Sequence, residues 1–160
     1  MKLKQVLIAS LLVCILTGLS SCHNDDVYYK FHEIKSQKWS KYDTLYFSID
    51  SASVNTSGKY DITIELANNF DYPYRNIWLY AQDNISDTVF RNYSEQHLLA
   101  DEFGKWYGSG FGALYQLSLP YRSSVQFPDK RNYCIKLVHG MRDEPLFGIE
   151  KVGIRIKEIK

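Results

Sequence analysis

Reactive chemistry in this chain would have to come from groups far apart in sequence, because no neighbouring set has catalytic spacing. The histidines His23, His32, His97 and His139 lack the H-x-H and H-E-x-x-H spacings that bring two imidazoles onto one metal ion, and there is no C-x-x-C. Neither a metal nor a cofactor is expected. Gly108-Ser109-Gly110 is the nearest thing to a nucleophile turn, but a G-x-S-x-G elbow needs glycines two residues either side of the serine. Tyr107 and Phe111 stand there instead. Lys105 is followed by Trp106, not by Ser or Thr, so the glycine run is not a phosphate loop. Paired acid–base carboxylates leave no local signature, and no motif points to an enzyme.

What stands out is ring chemistry. Between Asp101 and Gly112, four glycines alternate with the aromatics Phe103, Trp106, Tyr107 and Phe111. Glycine permits close backbone approach, and aromatic rings need a partner or groove to cover them. Tyr72-Pro73-Tyr74-Arg75-Asn76 is a second aromatic loop, and His139-Gly140-Met141-Arg142 a third. Trp, Tyr, Met and Arg are the usual anchors of protein interfaces. The candidate partner-binding residues are therefore Tyr72, Tyr74, Trp106, Tyr107, Phe111, Met141 and Arg142. Three outcomes stay open. The loops form a docking patch for a protein; Tyr72, Tyr74, Trp106 and Tyr107 stack on sugar rings; or the aromatics fold back and plug the ends of the domain.

The elements that hold these loops have a period of two. Leu45, Phe47 and Ile49 share one face of a strand, as do Tyr60, Ile62, Ile64 and Leu66, with Asp61, Thr63 and Glu65 pointing outward. Residues 76–82 carry Ile77, Trp78, Leu79 and Tyr80, apolar on both faces, which predicts a central strand. Further strands are expected over 113–119, 133–138 and 152–156. Turn chemistry separates them at Asn55–Gly58, Asn68–Asp71, Gln82–Asn84, Pro128–Asn132 and His139-Gly140. The expected fold is all-β: a single antiparallel β-sandwich, jelly-roll-like, of seven to nine strands with little helix. One short helix is expected at Ser94–Glu102, with Ser94 as its cap.

The amino-terminal segment says where such a domain resides. Lys2 and Lys4 precede Val6–Leu16, eleven residues without a charge, which is too short to span a ~30 Å hydrocarbon core. This is a secretory leader, and Leu19-Ser20-Ser21-Cys22 resembles a bacterial lipobox. Residues 1–21 are read as the signal peptide, 22–31 as the lipidated Cys22 and its tether, and 32–160 as the β-sandwich domain. Attached acyl chains contribute ~0.8 kcal/mol per buried CH₂, enough to hold the chain on a membrane. The acidic pair Asp25-Asp26 is either an export signal to the outer face of the outer membrane or a plain solvated tether. Cys14 leaves with the leader and Cys22 carries lipid, so Cys134 stands alone and is expected to be a buried, inert thiol.

Composition agrees with one packed domain. The chain has 160 residues, 15% of them aromatic, more than a disordered chain carries. Without Lys2 and Lys4 the 19 basic residues fall to 17 against 18 acidic, a net charge of −1. Such a balance does not attract a nucleic-acid backbone.

Several of these segments together resemble a known family, the GldH-type gliding-motility lipoproteins of Bacteroidota. The resemblance lies in Tyr72–Leu79, Leu99-Ala100-Asp101, Gly104–Gly110, Met141-Arg142, Leu146–Ile149 and Val152–Arg155, in that order behind the lipobox. Ala67 departs from the basic or polar residue expected near the end of its strand. The resemblance implies a non-catalytic lipoprotein of the cell envelope and outer membrane, associated with gliding machinery and with envelope protein partners. Asp43-Thr44-Leu45, Asp50-Ser51-Ala52 and Asp87-Thr88-Val89 resemble the O-glycosylation acceptors of the same phylum, making Thr44, Ser51 and Thr88 candidate modified residues.

Overall fold

Alternation of β-branched and aromatic residues with polar ones gives each strand one apolar side, and the chain buries these sides between two sheets packed face to face. The computed structural model describes residues 25–159; the expected leader and Cys22 lie outside them. The strands are β1 (Asp26–Glu33), β2 (Lys38–Trp39), β3 (Leu45–Ile49), β4 (Lys59–Asn68), β5 (Asn76–Asp83) and β6 (Arg91–Leu98). They continue with β7 (Ser109–Phe111), β8 (Leu114–Val125), β9 (Tyr133–His139), β10 (Leu146–Phe147) and β11 (Ile149–Ile159). One sheet runs β1-β11-β4-β8-β7, the other β3-β9-β5-β6, and β2 pairs with β10. Taking only the eight strands of five residues or more, the first sheet holds the first, eighth, third and sixth in chain order. The second sheet holds the second, seventh, fourth and fifth. That is the double Greek key of a jelly roll.

The core lies between the sheets. Ile62, Ile64 and Leu66 of β4 and Val152, Ile154 and Ile156 of β11 meet Phe47, Ile77, Leu79, Ile135 and Leu137 of the second sheet, all buried. Each such side chain stabilises the fold by about 1.5–3 kcal/mol relative to an exposed one. The second sheet is tied to the first at one end by Asp83, wholly buried, whose Oδ2 accepts from the Tyr121 hydroxyl at 2.6 Å and from Arg122 Nη1 at 3.0 Å.

Three expectations are corrected. Ser94–Glu102 is not a helix: residues 94–98 belong to β6, which pairs with β5 from Asn76↔Leu98 to Asp83↔Arg91. The segment has too few apolar residues for a helical stripe, and an available sheet edge outweighs its local preference. The tether is shorter than residues 22–31, since β1 starts at Asp26 and its carboxylate accepts from Arg155 Nε at 2.7 Å. Third, Cys134 is only half-buried, because it projects from the outer face of β9. Glu65 lies on the outer face of β4 as expected and is covered there, 1% exposed, accepting from Thr63 Oγ1 at 2.7 Å and Ser118 Oγ at 2.8 Å.

Strand register defines two ends of the sandwich. At the base, Asp26 pairs with Lys157, Lys59 with Ile159, and Tyr60 with Val125. Tyr60, Phe127 and Tyr133 stack edge to face there, with centroids 5.2 and 4.9 Å apart, joining the two sheets. At the opposite end, the crown, Asn68 pairs with Tyr115 and Asn76 with Leu98, and β9 finishes at His139.

Candidate functional site

All three candidate loops emerge at the crown. The 69–75 loop follows the end of β4, the 99–108 loop follows the end of β6, and residues 140–142 follow the end of β9. They are laced together by backbone bonds: Leu99 and Ala100 donate to the Arg75 carbonyl at 2.7 and 3.1 Å, and Tyr107 donates to Leu99 at 2.9 Å. The Asp101 carboxylate accepts from the amides of Phe103 and Lys105, both at 2.9 Å, and Gly104 turns the chain with φ of +83°. This tight turn thrusts Phe103 into solvent, 87% exposed.

Inside the loops the rings form a chain. Phe70, Tyr115, Trp106, Tyr72 and Tyr74 follow one another with centroid separations of 5.3, 5.8, 6.3 and 5.9 Å. Tyr72 is its keystone. It is 2% exposed, its hydroxyl donates to the Asn76 carbonyl at 2.7 Å, and burial pushes its phenol well above the ordinary value. Gly148 makes the fit possible: a Cβ there would sit 2.2 Å from the Tyr72 amide nitrogen. Tyr72 thus offers no face to a partner or a sugar, and that part of the expected site is corrected to a packing role. Tyr74 is half-buried and donates to Asp143 Oδ2 at 2.7 Å, a bond that raises its phenol.

The remaining expected residues divide by cover. Trp106 and Met141 are half-buried, and Tyr107 and Arg142 are exposed. Phe111 pairs through its backbone with Leu114 in the β7–β8 hairpin. Of the candidate acceptors, Thr88 is exposed while Thr44 and Ser51 are half-buried. Asp50 and Asp87 each accept from the amide two residues on, at 2.8 and 2.7 Å, which is the local turn bonding that Asp-Ser and Asp-Thr favour on their own. No group of three or more metal-ligating side chains gathers among the described residues.

A second surface carries rings that no sequence motif marks as a site. The outer face of the β3-β9-β5-β6 sheet exposes Tyr46, Trp78 and Tyr80 at 57%, 36% and 48%. Periodicity read 76–82 as buried on both sides because Trp and Tyr score as apolar. The usable signal was finer: the inward positions are aliphatic, whereas the outward ones are rings with a polar edge, opposite Ser94 and Gln96 on the next strand. Met141 joins this face to the crown, its Sδ lying 3.3 Å from the Trp78 amide.

Comparison with known proteins identifies the setting. The GldH lipoprotein family matches residues 26–156. The chain is 29% identical over 152 residues to a protein of Christiangramia forsetii named gliding motility lipoprotein GldH homolog, covering 87% of this chain and 88% of that one. It is 26% identical over 155 residues to the gliding motility lipoprotein GldH of Flavobacterium johnsoniae, covering 92% and 93%.

Proposed function

The chain belongs to the GldH lipoprotein family, and from that premise we propose that it is a non-catalytic, lipid-anchored component of an outer-membrane protein complex of the gliding type. Cys22 carries the lipid, and the crown docks a protein partner. The observation that carries this reading is the placement of the three loops at the end opposite Asp26, where the chain arrives from Cys22. Only residues 23–25 separate Cys22 from β1, a reach of at most about 14 Å, so the base stays near the membrane and the crown points away from it. Phe103 and Tyr107 supply exposed rings there, and Arg142 a charge, the residue types that anchor interfaces.

Sugar stacking at the crown has less support than protein docking, since one of the four rings it needs, Tyr72, is buried. Thr88, exposed in the link before β6, is the proposed O-glycosylation residue.

Two measurements test the reading. Cys22→Ala is expected to move the protein from the membrane fraction to the soluble fraction; retention in the membrane overturns the anchor. A photo-crosslinking residue at Tyr107 is expected to capture a defined envelope protein in the native host, while the same residue at Ser57 in the base does not. Equal labelling from both ends, or none from Tyr107, removes the crown from the docking surface.

A further inference from the structure

We propose that the outer face of the β3-β9-β5-β6 sheet binds an acidic polysaccharide, laid along β5 with its sugar rings on Trp78 and Tyr80 and its carboxylates at Lys136 and Arg142. This surface adjoins the crown patch at Tyr74, Met141 and Arg142 and extends from there over the sheet face to Lys136. The proposed envelope setting supplies only the reason such a polymer would be near.

The shape is a trough. A concavity of 420 Å³ is lined by Tyr80, Gln82, Asn92, Ser94 and Lys136 among others, and a second of 320 Å³ by Tyr74, Trp78, Met141 and Arg142. The two meet at Trp78 and Tyr80, which are neighbours on one face of β5. From Asn76 to Gln82 the strand runs about 20 Å at ~3.3 Å per residue. That length suits a short run of sugars rather than a single one.

The rings are laid down for stacking. Trp78 Nε1 donates to Ser94 Oγ on the adjacent strand at 2.8 Å, which holds the indole across the sheet instead of letting it stand upright. Gly140 gives both rings room to lie flat: a Cβ there would come within 2.6 Å of Trp78 Cδ1 and of Tyr80 Cε2. An aromatic ring held flat with its face to solvent matches the C–H face of a pyranose.

Polar groups flank the rings. Gln82 Nε2 donates to Asn92 Oδ1 at 2.8 Å. Each amide has two donors and an acceptor oxygen, so this pair retains capacity for sugar hydroxyls. Charge then selects the class of glycan. Neither concavity is lined by a carboxylate, and the charged lining residues are Lys136 and Arg142. The Lys136 ammonium is held over the Phe90 ring at 3.8 Å, fixed on the face. A protein laid over this trough would have to desolvate the amides and the ammonium and pair each of them. A polysaccharide meets them with hydroxyls and carboxylates while leaving them partly in water.

The test uses the mature lipoprotein in detergent, run through native gels containing polygalacturonate or dextran. Retardation is expected in polygalacturonate only. It should weaken by roughly tenfold in Kd for Trp78→Ala, corresponding to about 1.4 kcal/mol, and recover only in part in Trp78→Phe, which restores a ring but not the bond to Ser94. Lys136→Gln should weaken it and flatten its salt dependence. Migration in polygalacturonate no slower than in a polymer-free gel overturns the proposal, as does binding unchanged by Trp78→Ala. Equal retardation by dextran overturns the acidic assignment. A crosslinker at Tyr80 that captures a protein in cells, with no polymer bound in the gel, assigns the face to a protein instead. Cys22→Ala leaves polymer binding intact, so failure of the anchor and failure of this site are read separately.

Discussion

The crown and the outer face of the second sheet use the same residue types to opposite ends. At the crown, Tyr72 is buried and its rings-in-series neighbours Trp106 and Tyr115 are half-buried, closing the gap between the sheets. On the sheet face, Trp78 and Tyr80 pass close over the Gly140 backbone and stay 36% and 48% exposed. Both regions depend on a glycine at close approach: Gly148 admits the Tyr72 backbone from the side, and Gly140 lets two rings lie flat. An aromatic ring with cover on both faces acts as structure. The same ring with cover on one face is available to a ligand.

That contrast can be broken by mutation. Tyr72→Ala should cost the most, about 3–5 kcal/mol of unfolding free energy from the cavity it opens, read as a lower urea midpoint. A cost under ~1 kcal/mol would mean that the crown is loosely packed and its rings are free to turn outward. Gly140→Ala comes next, at about 1–3 kcal/mol, because the added methyl must lift Trp78 and Tyr80. Tryptophan emission should shift as the indole leaves Ser94, and an unchanged spectrum would refute the flat placement.

A pH effect sharpens the packed side of the comparison. His139 is buried beside Trp39, its Nε2 lies 3.0 Å from the Trp39 carbonyl, and its Nδ1 has no hydrogen-bond partner among the described residues. Facing a carbonyl, Nε2 carries the proton of the neutral ring. Burial holds both His139 and His97 below the ordinary imidazole value. The unfolded chain therefore binds more protons below about pH 6.5. The contribution is fully present above that value and is lost as pH falls towards the folded pKa values. Urea midpoints at pH 7.5 and 5.5 should show the decline, and His139→Gln should flatten it. The smallest effect on stability is expected for Trp78→Ala, within about 0.5 kcal/mol as for other surface changes. A loss comparable to Tyr72→Ala would turn the face rings into packing elements.

The class of fold was legible because alternation is a backbone property. Tyr60, Ile62, Ile64 and Leu66 point one way on any pleated strand, whatever that strand pairs with. The errors came where pairing decides. Arg91–Leu98 carries no strong pattern of its own and becomes β6 because β5 offers it a full-length edge. Asp26 reads as tether by its charge but is fixed by Arg155, which lies 129 positions along the chain.

The sequence by itself determined an all-β domain, the inward facing of its aliphatic strand positions and the three loops that carry the candidate residues. Those features follow from composition and short-range spacing. Only the tertiary structure decided that the three loops share the end away from Asp26, that Tyr72 is covered and that Trp78 and Tyr80 are exposed. Exposure depends on which other segments pass overhead, and in a jelly roll those segments are distant in sequence, so no local pattern encodes it.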